Sequence, residues 1–253
     1  MIKGLYAAVS SMLVNSQRQQ TLAHNIANMQ TPGFKEILST VRDFIKTPVQ
    51  YSPGNLLQDS NLTYIGNIGL GSQSGPDVTD YTQGGMQSTG NPYDVALQGD
   101  GFFMVQTPEG VRYTRDGRFL RDAQNNLVTV EGFKVLNQGG QPIRLADGTV
   151  SIAADGAIAI NGAQAGKLGI SFFKDPRAEL IRDQGNLFKG PAQSTLAGRP
   201  QVAQGYLEAS NANPTHLMAE MVEVARSYEA AQKMVQNEDE LLGKSIASLG
   251  RIG

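Results

Sequence analysis

The side chains that could support acid–base or metal chemistry are few and widely spaced in this sequence. The two histidines, His24 and His216, lie near the ends of two separate helical patterns. Cysteine is absent, which excludes disulfides, thiolate catalysis and thiolate metal ligands. The sequence also contains no His-Glu-x-x-His run of the kind that binds zinc. We interpret both histidines as surface or helix-capping residues and predict that the chain binds no metal.

Three aspartates have the chemistry needed for the carboxylate pair that hydrolyses a sugar bond. They are Asp94, Asp100 and Asp116, and each lies in a segment with the composition of a turn. Aspartate is common in turns because its side chain accepts hydrogen bonds from the backbone nearby. Turn formation therefore explains these residues first, and no catalytic site is predicted.

Two further segments resemble ligand-binding loops without meeting their requirements. The glycine-rich stretch 66–75 lacks both the dinucleotide fingerprint and a phosphate-binding lysine. Segment 122–126 has some of the oxygen ligands of a calcium loop, but Leu127 occupies the position that requires glycine. We predict a hairpin turn at 122–126 and no bound cofactor.

Composition limits the partners of the chain. Its 253 residues suit one large domain or two smaller ones, and its formal net charge of −2 offers no broad attraction to nucleic acid or to an anionic membrane. No stretch approaches the roughly 18 consecutive apolar residues of a membrane span. The N-terminus lacks a compact apolar segment followed by a small-residue cleavage site, so no cleaved signal peptide is expected. We predict no nucleic-acid partner, no small-molecule substrate and no membrane insertion.

From Tyr93 onward the chain consists of short apolar runs bounded by turn residues. Asp-Gly pairs separate several of these runs, as at Asp116-Gly117 and Asp155-Gly156, and such pairs favour hairpins because glycine accepts a positive φ. The pattern predicts an antiparallel all-β domain. Its strands are expected at 95–97, 102–105, 111–113, 118–120, 127–130, 133–136, 150–152, 158–160, 168–173 and 202–207.

Both ends of the sequence repeat residues at alternating spacings of three and four, which is the pattern of one stripe along an α-helix. The first helix is predicted to end at Thr31-Pro32-Gly33, and the second to begin with Asn213 as its cap and Pro214 as its first residue. The N-terminal seam comprises Ile2, Leu5, Val9, Met12, Ser16, Gln19, Ala23 and Ile26. The C-terminal seam comprises Leu217, Met221, Val224, Tyr228, Ala231, Val235, Glu238 and Leu242.

Matching seams predict that the two helices pack together and against other subunits. A helix of about 28 residues is roughly 42 Å long, which is too long for one small β domain to cover. Ser16 and Gln19 weaken the N-terminal seam for an isolated pair, so several neighbours are expected to supply the missing burial. All seam residues except Ser16, Gln19 and Glu238 are predicted to form the subunit interface.

The predicted fold class is therefore α+β. A discontinuous helical coiled-coil domain is expected from residues 1–33 and 211–253, and a central, mostly antiparallel all-β domain from residues 93–210. Residues 34–92, which are rich in glycine and proline, are predicted to form an extended connection with little core of its own.

Three groups of segments resemble the signatures of the axial proteins of the bacterial flagellum, the rod and hook proteins. Residues 25–28 and 31–35 resemble the N-terminal signature, residues 94–103 and 113–119 the central motif, and residues 210–213, 221–222 and 226–229 the C-terminal signature. Length and the single β domain resemble the basal-body rod proteins more than the hook protein. The motif residues are Asn25, Asn28, Thr31, Gly33, Phe34, Gly99, Gly101, Phe102, Phe103, Asn211 and Asn213.

The resemblance implies a structural subunit of the flagellar basal-body rod, not an enzyme. Its terminal helices would polymerise into the axial tube that transmits torque from the rotor to the hook. The implied partners are copies of the chain, other rod and hook axial proteins, and the flagellar type III export apparatus, which needs no cleaved signal peptide. The implied location is the basal body in the cell envelope.

A rival hypothesis is a secreted β-domain module that binds carbohydrate or hydrolyses the cell wall, with the helices as a dimerisation element. Such a module is expected to show clustered aromatic residues or a carboxylate pair in a cleft. The sequence has no tryptophan, and its candidate aspartates are of the turn type.

Overall fold

The computed structural model describes residues 2–44, 46–51, 63–191 and 201–249. Contacts divide the chain into two compact units. The helical unit comprises Met1–His24, Ile37–Val78 and Thr215–Gly253, and the β unit comprises Asn25–Glu36 and Thr79–Pro214. The fold class is α+β, as predicted, whereas the predicted domain boundaries stay a prediction. Residues 52–55, where the sequence predicts a break in regular structure, lie outside the described residues.

Two long helices begin and end the described chain. Helix α1 spans Ile2–Ala27 and α3 spans Pro214–Leu249, so proline stands at the first position of α3 as predicted. Asn28–Gln30 forms a turn after α1, with the backbone N–H of Thr31 donating to the carbonyl of Asn28 at 3.0 Å. Proline at position 32 cannot continue the helix, and Gly33 adopts a φ of +66° that favours glycine.

Short antiparallel strands occupy the segment between α1 and the main β region. Strand β2 pairs with β5, and β3 pairs with β4. No described residue between 37 and 78 is buried, which agrees with a connection that has little core of its own. The strands are β1 (Ile37–Leu38), β2 (Val41–Asp43), β3 (Lys46–Tyr51), β4 (Thr63–Gly69), β5 (Ser72–Ser74) and β6 (Val78–Thr79).

The β unit holds the remaining elements, and its recorded strand pairs are antiparallel, which confirms the predicted class of this region. Its elements are β7 (Met86–Ser88), β8 (Val95–Leu97), β9 (Phe102–Thr107), β10 (Gly110–Thr114), β11 (Phe119–Arg121), β12 (Leu127–Thr129), β13 (Lys134–Val135), β14 (Val150–Ile152), β15 (Ala157–Ile160), β16 (Ala163–Lys167), β17 (Ile170–Ser171), a short helix α2 (Pro176–Glu179), β18 (Ile181–Arg182), β19 (Leu187–Lys189), β20 (Val202–Gln204) and β21 (Tyr206–Glu208).

An eight-stranded sheet is the largest element of the β unit. Its strand order is β11-β12-β13-β9-β10-β19-β18, with β17 also paired to β9. Strands β14, β15 and β16 form a second sheet, and β20 and β21 pair with β8 and β7 respectively. The last two strands therefore return the chain to the start of the unit, so the unit closes only when its C-terminal part is present.

Two apolar clusters form the core of the β unit. The larger one includes fully buried residues from five strands, among them Val95, Phe103, Phe119, Val135 and Ile158. The smaller one is aromatic, with Phe102, Tyr113, Phe173 and Phe188 packed by edge-to-face or tilted ring contacts. Burial of this apolar surface provides the main driving force for folding of the unit.

The predicted hairpins are only partly correct. Asp155-Gly156 connects β14 to β15, which pair with each other, and segment 122–126 connects the paired strands β11 and β12. Asp116-Gly117 instead lies between β10 and β11, which pair with other strands. A Cβ at Gly117 would lie 1.6 Å from the carbonyl oxygen of Val95, so glycine is required there by close backbone packing and not by a hairpin.

Candidate functional site

Two polar contacts join the helices within the helical unit. Asn15 Nδ2 donates to Ser227 Oγ at 3.0 Å, and Arg18 Nη2 forms an ion pair with Glu220 Oε1 at 2.9 Å. Positions that increase along α1 therefore meet positions that decrease along α3, so the two helices run antiparallel. The ion pair is partly exposed, with side-chain exposures of 32% and 27%, so it fixes register more than it adds stability.

Buried apolar residues accompany these polar contacts on both helices. On α1 they are Ala8, Val14 and Leu22, and on α3 they are Leu217, Val224 and Ala231. The three α3 positions are spaced by seven residues, as one stripe of a helix requires. They are also members of the C-terminal seam.

The structure places the remaining seam residues at different depths. On α3, Met221, Tyr228, Val235 and Leu242 are half-buried. On α1, Leu5, Met12 and Ile26 are half-buried, whereas Val9 and Ala23 are exposed. Ile2 lies in the first turn of α1, and its side chain lies outside the described part of the chain. The assignment of these residues to a subunit interface stays a prediction.

The side of α1 that contacts α3 is shifted by one position from the N-terminal seam. The polar contacts come from Asn15 and Arg18, whereas the seam contains Ser16 and Gln19. Apolar residues are consequently left on outer surfaces of both helices. The large exposed ones are Tyr6, Val9 and Leu13 on α1, and Met218, Val222, Met234, Leu241 and Ile246 on α3.

A second cluster, in the β unit, brings the motif segments together at Gly33. The backbone N–H of Gly33 donates to the carbonyl of Glu208 at 2.7 Å. A Cβ at Gly33 would lie 2.4 Å from the carbonyl carbon of Arg115, which is closer than real Cβ contacts. Glycine is therefore required twice at this position, by its positive φ and by its closeness to Arg115.

Three buried charges form what we call the motif ion cluster: Lys35, Arg115 and Glu208. Lys35 Nζ contacts Glu208 Oε1 at 2.6 Å, and Arg115 Nη1 contacts Glu208 Oε2 at 3.2 Å. The side chains of Lys35 and Glu208 are each 1% exposed, and that of Arg115 is 4% exposed. Buried charges are costly unless they are paired and hydrogen-bonded, so the three residues depend on one another.

Backbone groups complete the motif ion cluster. The carbonyl of Thr82 accepts a hydrogen bond from Lys35 Nζ at 2.6 Å, and the carbonyl of Gly99 accepts one from Arg115 Nη2 at 2.8 Å. The backbone N–H of Gly84 donates to Glu208 Oε1 at 3.0 Å. The cluster thus ties together the N-terminal, central and C-terminal parts of the β unit.

Burial opposes the charged forms of both cations in this cluster. It lowers the pKa of the Lys35 ammonium, and the neighbouring Glu208 carboxylate acts in the opposite direction. Burial likewise lowers the pKa of the Arg115 guanidinium, again opposed by Glu208. The guanidinium of Arg115 also lies 5.0 Å from the centre of the Phe102 ring, which provides a favourable face for the cation.

A cation–aromatic contact holds Phe34 next to this cluster. Phe34 is almost fully buried, and the guanidinium of Arg182 lies 4.5 Å from the centre of its ring. Arg182 Nη1 also donates to the carbonyl of Lys35 at 2.8 Å. Burial lowers the pKa of Arg182. These contacts attach the segment after α1 to β18.

Asn211 joins the segment before α3 to the segment after α1. Its Oδ1 accepts a hydrogen bond from the backbone N–H of Glu36 at 2.8 Å, and its Nδ2 donates to the carbonyl of Asp80 at 2.9 Å. Both partners belong to the β unit. This side chain therefore acts as a backbone clamp, a structural task that matches its place in the C-terminal motif.

The other motif residues also have structural surroundings. Phe102 and Phe103 are buried in the two core clusters, and Gly101 has a φ of +124° with little space for a side chain. Asn25 is fully buried, and Thr31 Oγ1 donates to Asn28 Oδ1 at 3.3 Å. Asn213 is exposed at the start of α3. The motifs thus build the fold around Gly33 and the motif ion cluster.

The candidate catalytic aspartates have local structural partners. Asp94 Oδ1 accepts a hydrogen bond from Asn91 Nδ2 at 3.0 Å, and the carboxylate of Asp116 forms an ion pair with Arg118 at 2.6 Å. Asp100 is exposed. The described residues contain no group of three or more side chains suited to hold a metal ion. No described helix is long and apolar enough to cross a membrane.

Sequence reasoning missed most of these contacts. Lys35 and Arg115 lie within the recognised motifs, so they could have been singled out as charges next to core residues. Glu208, by contrast, lies just outside the quoted C-terminal segments, and no local pattern marks it as buried. The polar contacts of Asn15 and Arg18 were hidden by the more apolar stripe beside them.

Comparison with known proteins covers nearly the whole chain. Family profiles described as flagella basal body rod protein, flagellar hook protein FlgE/F/G D1 domain and flagellar basal body rod FlgEFG protein C-terminal match residues 5–35, 96–160 and 203–249. The flagellar basal-body rod protein FlgF of Caulobacter vibrioides is 33% identical, with 100% of both chains covered. The rod protein FlgF of Rhizobium meliloti is 32% identical over 98% of each chain. The rod protein FlgG of Borreliella burgdorferi is 33% identical over 96% of this chain and 97% of its own.

Proposed function

This chain belongs to the family of flagellar basal-body rod proteins, and from that premise we propose that it is a structural subunit of the rod. The observation that carries the proposal is that the similarity extends over both long helices as well as the β unit. A relative that shared only the β unit would leave the helices, and therefore assembly, unexplained.

Assembly is proposed to proceed through α1 and α3, paired as an antiparallel coiled coil. The pair buries Leu217, Val224 and Ala231, yet large apolar residues on outer surfaces of both helices stay exposed. Exposed apolar surface of this extent marks a site of association. A heterologous interface that does not close on itself produces an open helical tube, which is the geometry of an axial rod.

The β unit is proposed to form a rigid outer body of the subunit. Its apolar cores and the motif ion cluster hold segments from distant parts of the chain in one arrangement. A body that resists deformation suits a part that transmits torque from the rotor to the hook, because packed interiors transmit strain.

The proposed partners are copies of the chain, other rod and hook axial proteins, and the flagellar type III export apparatus. Export without a cleaved signal peptide, followed by assembly in the basal body, accounts for a subunit that works in the cell envelope. Nucleic acid, small-molecule substrates, cofactors and membrane insertion have no part in this proposal.

We also propose that the chain is not an enzyme. The rival carbohydrate-binding or hydrolase hypothesis gains no support, because Asp94 and Asp116 hold turn and ion-pair contacts and the relatives are rod proteins. A peptidoglycan hydrolysis assay tests this directly. Activity that is abolished by Asp94→Asn or Asp116→Asn would contradict the structural proposal.

Imaging of purified basal bodies tests the main proposal. A strain that carries an epitope-tagged copy of the chain is expected to incorporate the tag into the rod, between the rotor and the hook. A strain that lacks the chain is expected to be non-motile and to regain motility with the tagged copy. A tagged chain absent from basal bodies, with normal motility in the deletion strain, would refute the proposal.

A further inference from the structure

An uncharged groove lies on α1 within the helical unit, outside the contacts that join α1 to α3. It lies between α1 and the region of β2 and β5, and its volume is about 700 Å³. The lining contains no charged side chain. Its apolar residues are Tyr6, Val9, Leu13, Val14, Phe44 and Leu70.

Specific contacts hold this groove open as a defined feature. The backbone N–H of Ser72 donates to Ser10 Oγ at 3.2 Å, which attaches β5 to α1. A Cβ at Gly71 would lie 2.2 Å from Ser10 Oγ, so the strand approaches α1 as closely as glycine permits. The groove is therefore fixed between two attached elements, yet Tyr6, Leu13 and Phe44 in its lining are 65%, 68% and 44% exposed.

The α3 helix carries apolar surface that its own unit leaves uncovered. Along its buried stripe, the exposed fraction is 0% at Leu217, 1% at Val224 and 9% at Ala231. Ile246 lies four residues after the half-buried Leu242, on the same face of the helix, and is 69% exposed. The burial of this stripe is thus incomplete near Ile246.

We propose that the last turns of α3, around Leu242 and Ile246, occupy the uncharged groove on α1 of a second copy. The chemistry of the two surfaces matches: the groove has no charged lining, and residues 245–249 of α3 contain no charged side chain. Lys244 is paired with Glu240 at 2.9 Å, on a different face from Ile246. Burial of Ile246 in the groove removes apolar surface from water on both copies.

This contact is heterologous, because a groove on α1 receives a ridge from α3. Repeated from copy to copy, it continues without closing, which agrees with growth along an axis. The inference rests on the proposed function and deepens it, since it names the surfaces through which one subunit meets the next.

Cysteine cross-linking tests the inference cleanly because the chain has no cysteine of its own. Leu13→Cys and Ile246→Cys are made as separate variants, both at exposed positions, and co-expressed as differently tagged chains. Neither variant alone can form the mixed product. Oxidation of purified basal bodies is expected to give a disulfide-linked dimer that carries both tags.

Two matched controls separate a specific contact from collision. Gln20→Cys lies seven residues after Leu13 on the same side of α1 but outside the groove lining, and Lys244→Cys lies on another face of α3. Each control combination is expected to yield at least fivefold less mixed dimer. Equal yields, or no Leu13→Cys–Ile246→Cys product from basal bodies that contain both tags, overturn the inference and leave the rod function intact.

A photo-reactive side chain in place of Ile246 identifies the occupant of the groove. An adduct of twice the chain mass, mapped to α1, supports a second copy, whereas an adduct with a different protein overturns that assignment. If neither variant is present in basal bodies while the unmodified chain is also absent, the proposed rod function itself is wrong.

Discussion

Lys35 and Glu208 form a buried ion pair between residues that lie 173 positions apart in the chain. Nζ and Oε1 are separated by 2.6 Å, and each side chain is 1% exposed. Arg115 binds the other carboxylate oxygen, so a single anion balances two buried cations. Removal of that anion leaves both cations without compensation, which is the most costly defect a buried charge cluster can have.

We therefore predict that Glu208→Gln destabilises the β unit by about 3–5 kcal/mol, although the side chain keeps its size. Urea unfolding followed by tyrosine fluorescence measures the change. Glu131→Gln, at an exposed position, is the control and is expected to change the free energy of unfolding by less than about 0.5 kcal/mol. Similar small effects for both variants would show that the ion cluster contributes little.

Gly33 offers a test of close packing at the motif junction. Gly33→Ala places a Cβ 2.4 Å from the Arg115 carbonyl carbon and also meets an unfavourable φ of +66°. Gly90→Ala is a matched control, because Gly90 has a φ of +71° but nothing within 4 Å of its Cβ position. We expect the control to lose about 1–2 kcal/mol, and Gly33→Ala to lose at least twice as much.

Chemical denaturation of both glycine variants measures these losses. Equal losses for Gly33→Ala and Gly90→Ala would mean that only the backbone conformation matters, and that the closeness of Gly33 to Arg115 imposes no cost.

Val224 provides a test of the helix pair. Val224→Asp buries a charge without a partner at a position that is 1% exposed, which costs several kcal/mol. We predict loss of helix content by circular dichroism in the purified chain and loss of incorporation into basal bodies, while the β unit stays folded. Val222→Asp, two residues away and 52% exposed, is expected to retain the helix content of the unmodified chain. Normal motility with Val224→Asp as the sole copy would contradict this prediction.

Asp183 gives a prediction of acid sensitivity. A hydrogen bond from Arg112 lowers the pKa of the Asp183 carboxyl below its ordinary value of 3.8. The stabilisation is therefore fully present above pH 3.8 and is lost as the pH falls through the lower pKa of the folded state. Asp183→Asn removes this contribution, so its stability is expected to fall less steeply than that of the unmodified chain below pH 4.

Thermal unfolding of both proteins between pH 2.5 and pH 6 measures this difference. Parallel curves would exclude Asp183 as a source of the acid sensitivity. Because the carboxylate is largely solvent-exposed, a high salt concentration is expected to reduce the difference.

Local patterns in the sequence correctly predicted the elements that depend on local patterns. Pro214 marks the start of α3, and Val95–Leu97 and Val150–Ile152 were predicted as strands with these bounds. Segment 122–126 was correctly predicted as a turn because Asn and Asp tolerate the required backbone geometry, and Asn125 has a φ of +64°.

Long-range contacts could not be predicted in the same way. Asp116-Gly117 has the composition of a hairpin, yet β10 pairs with β9 and β19, so distant strands decided the pairing. On α1, periodicity selects the most apolar stripe, whereas the side that meets α3 uses Asn15 and Arg18. A polar helix contact leaves no apolar signature, so only the structure reveals it.

The position of Glu208 in the chain has a consequence for biosynthesis. A ribosome adds residues from the N-terminus onward, so Lys35 and Arg115 are made long before their counter-ion. Any fragment that stops short of residue 208 lacks both the balancing carboxylate and β21, which ends at that residue. Incomplete translation products therefore cannot reach the native β unit and are left open to proteases, whereas a finished chain can fold.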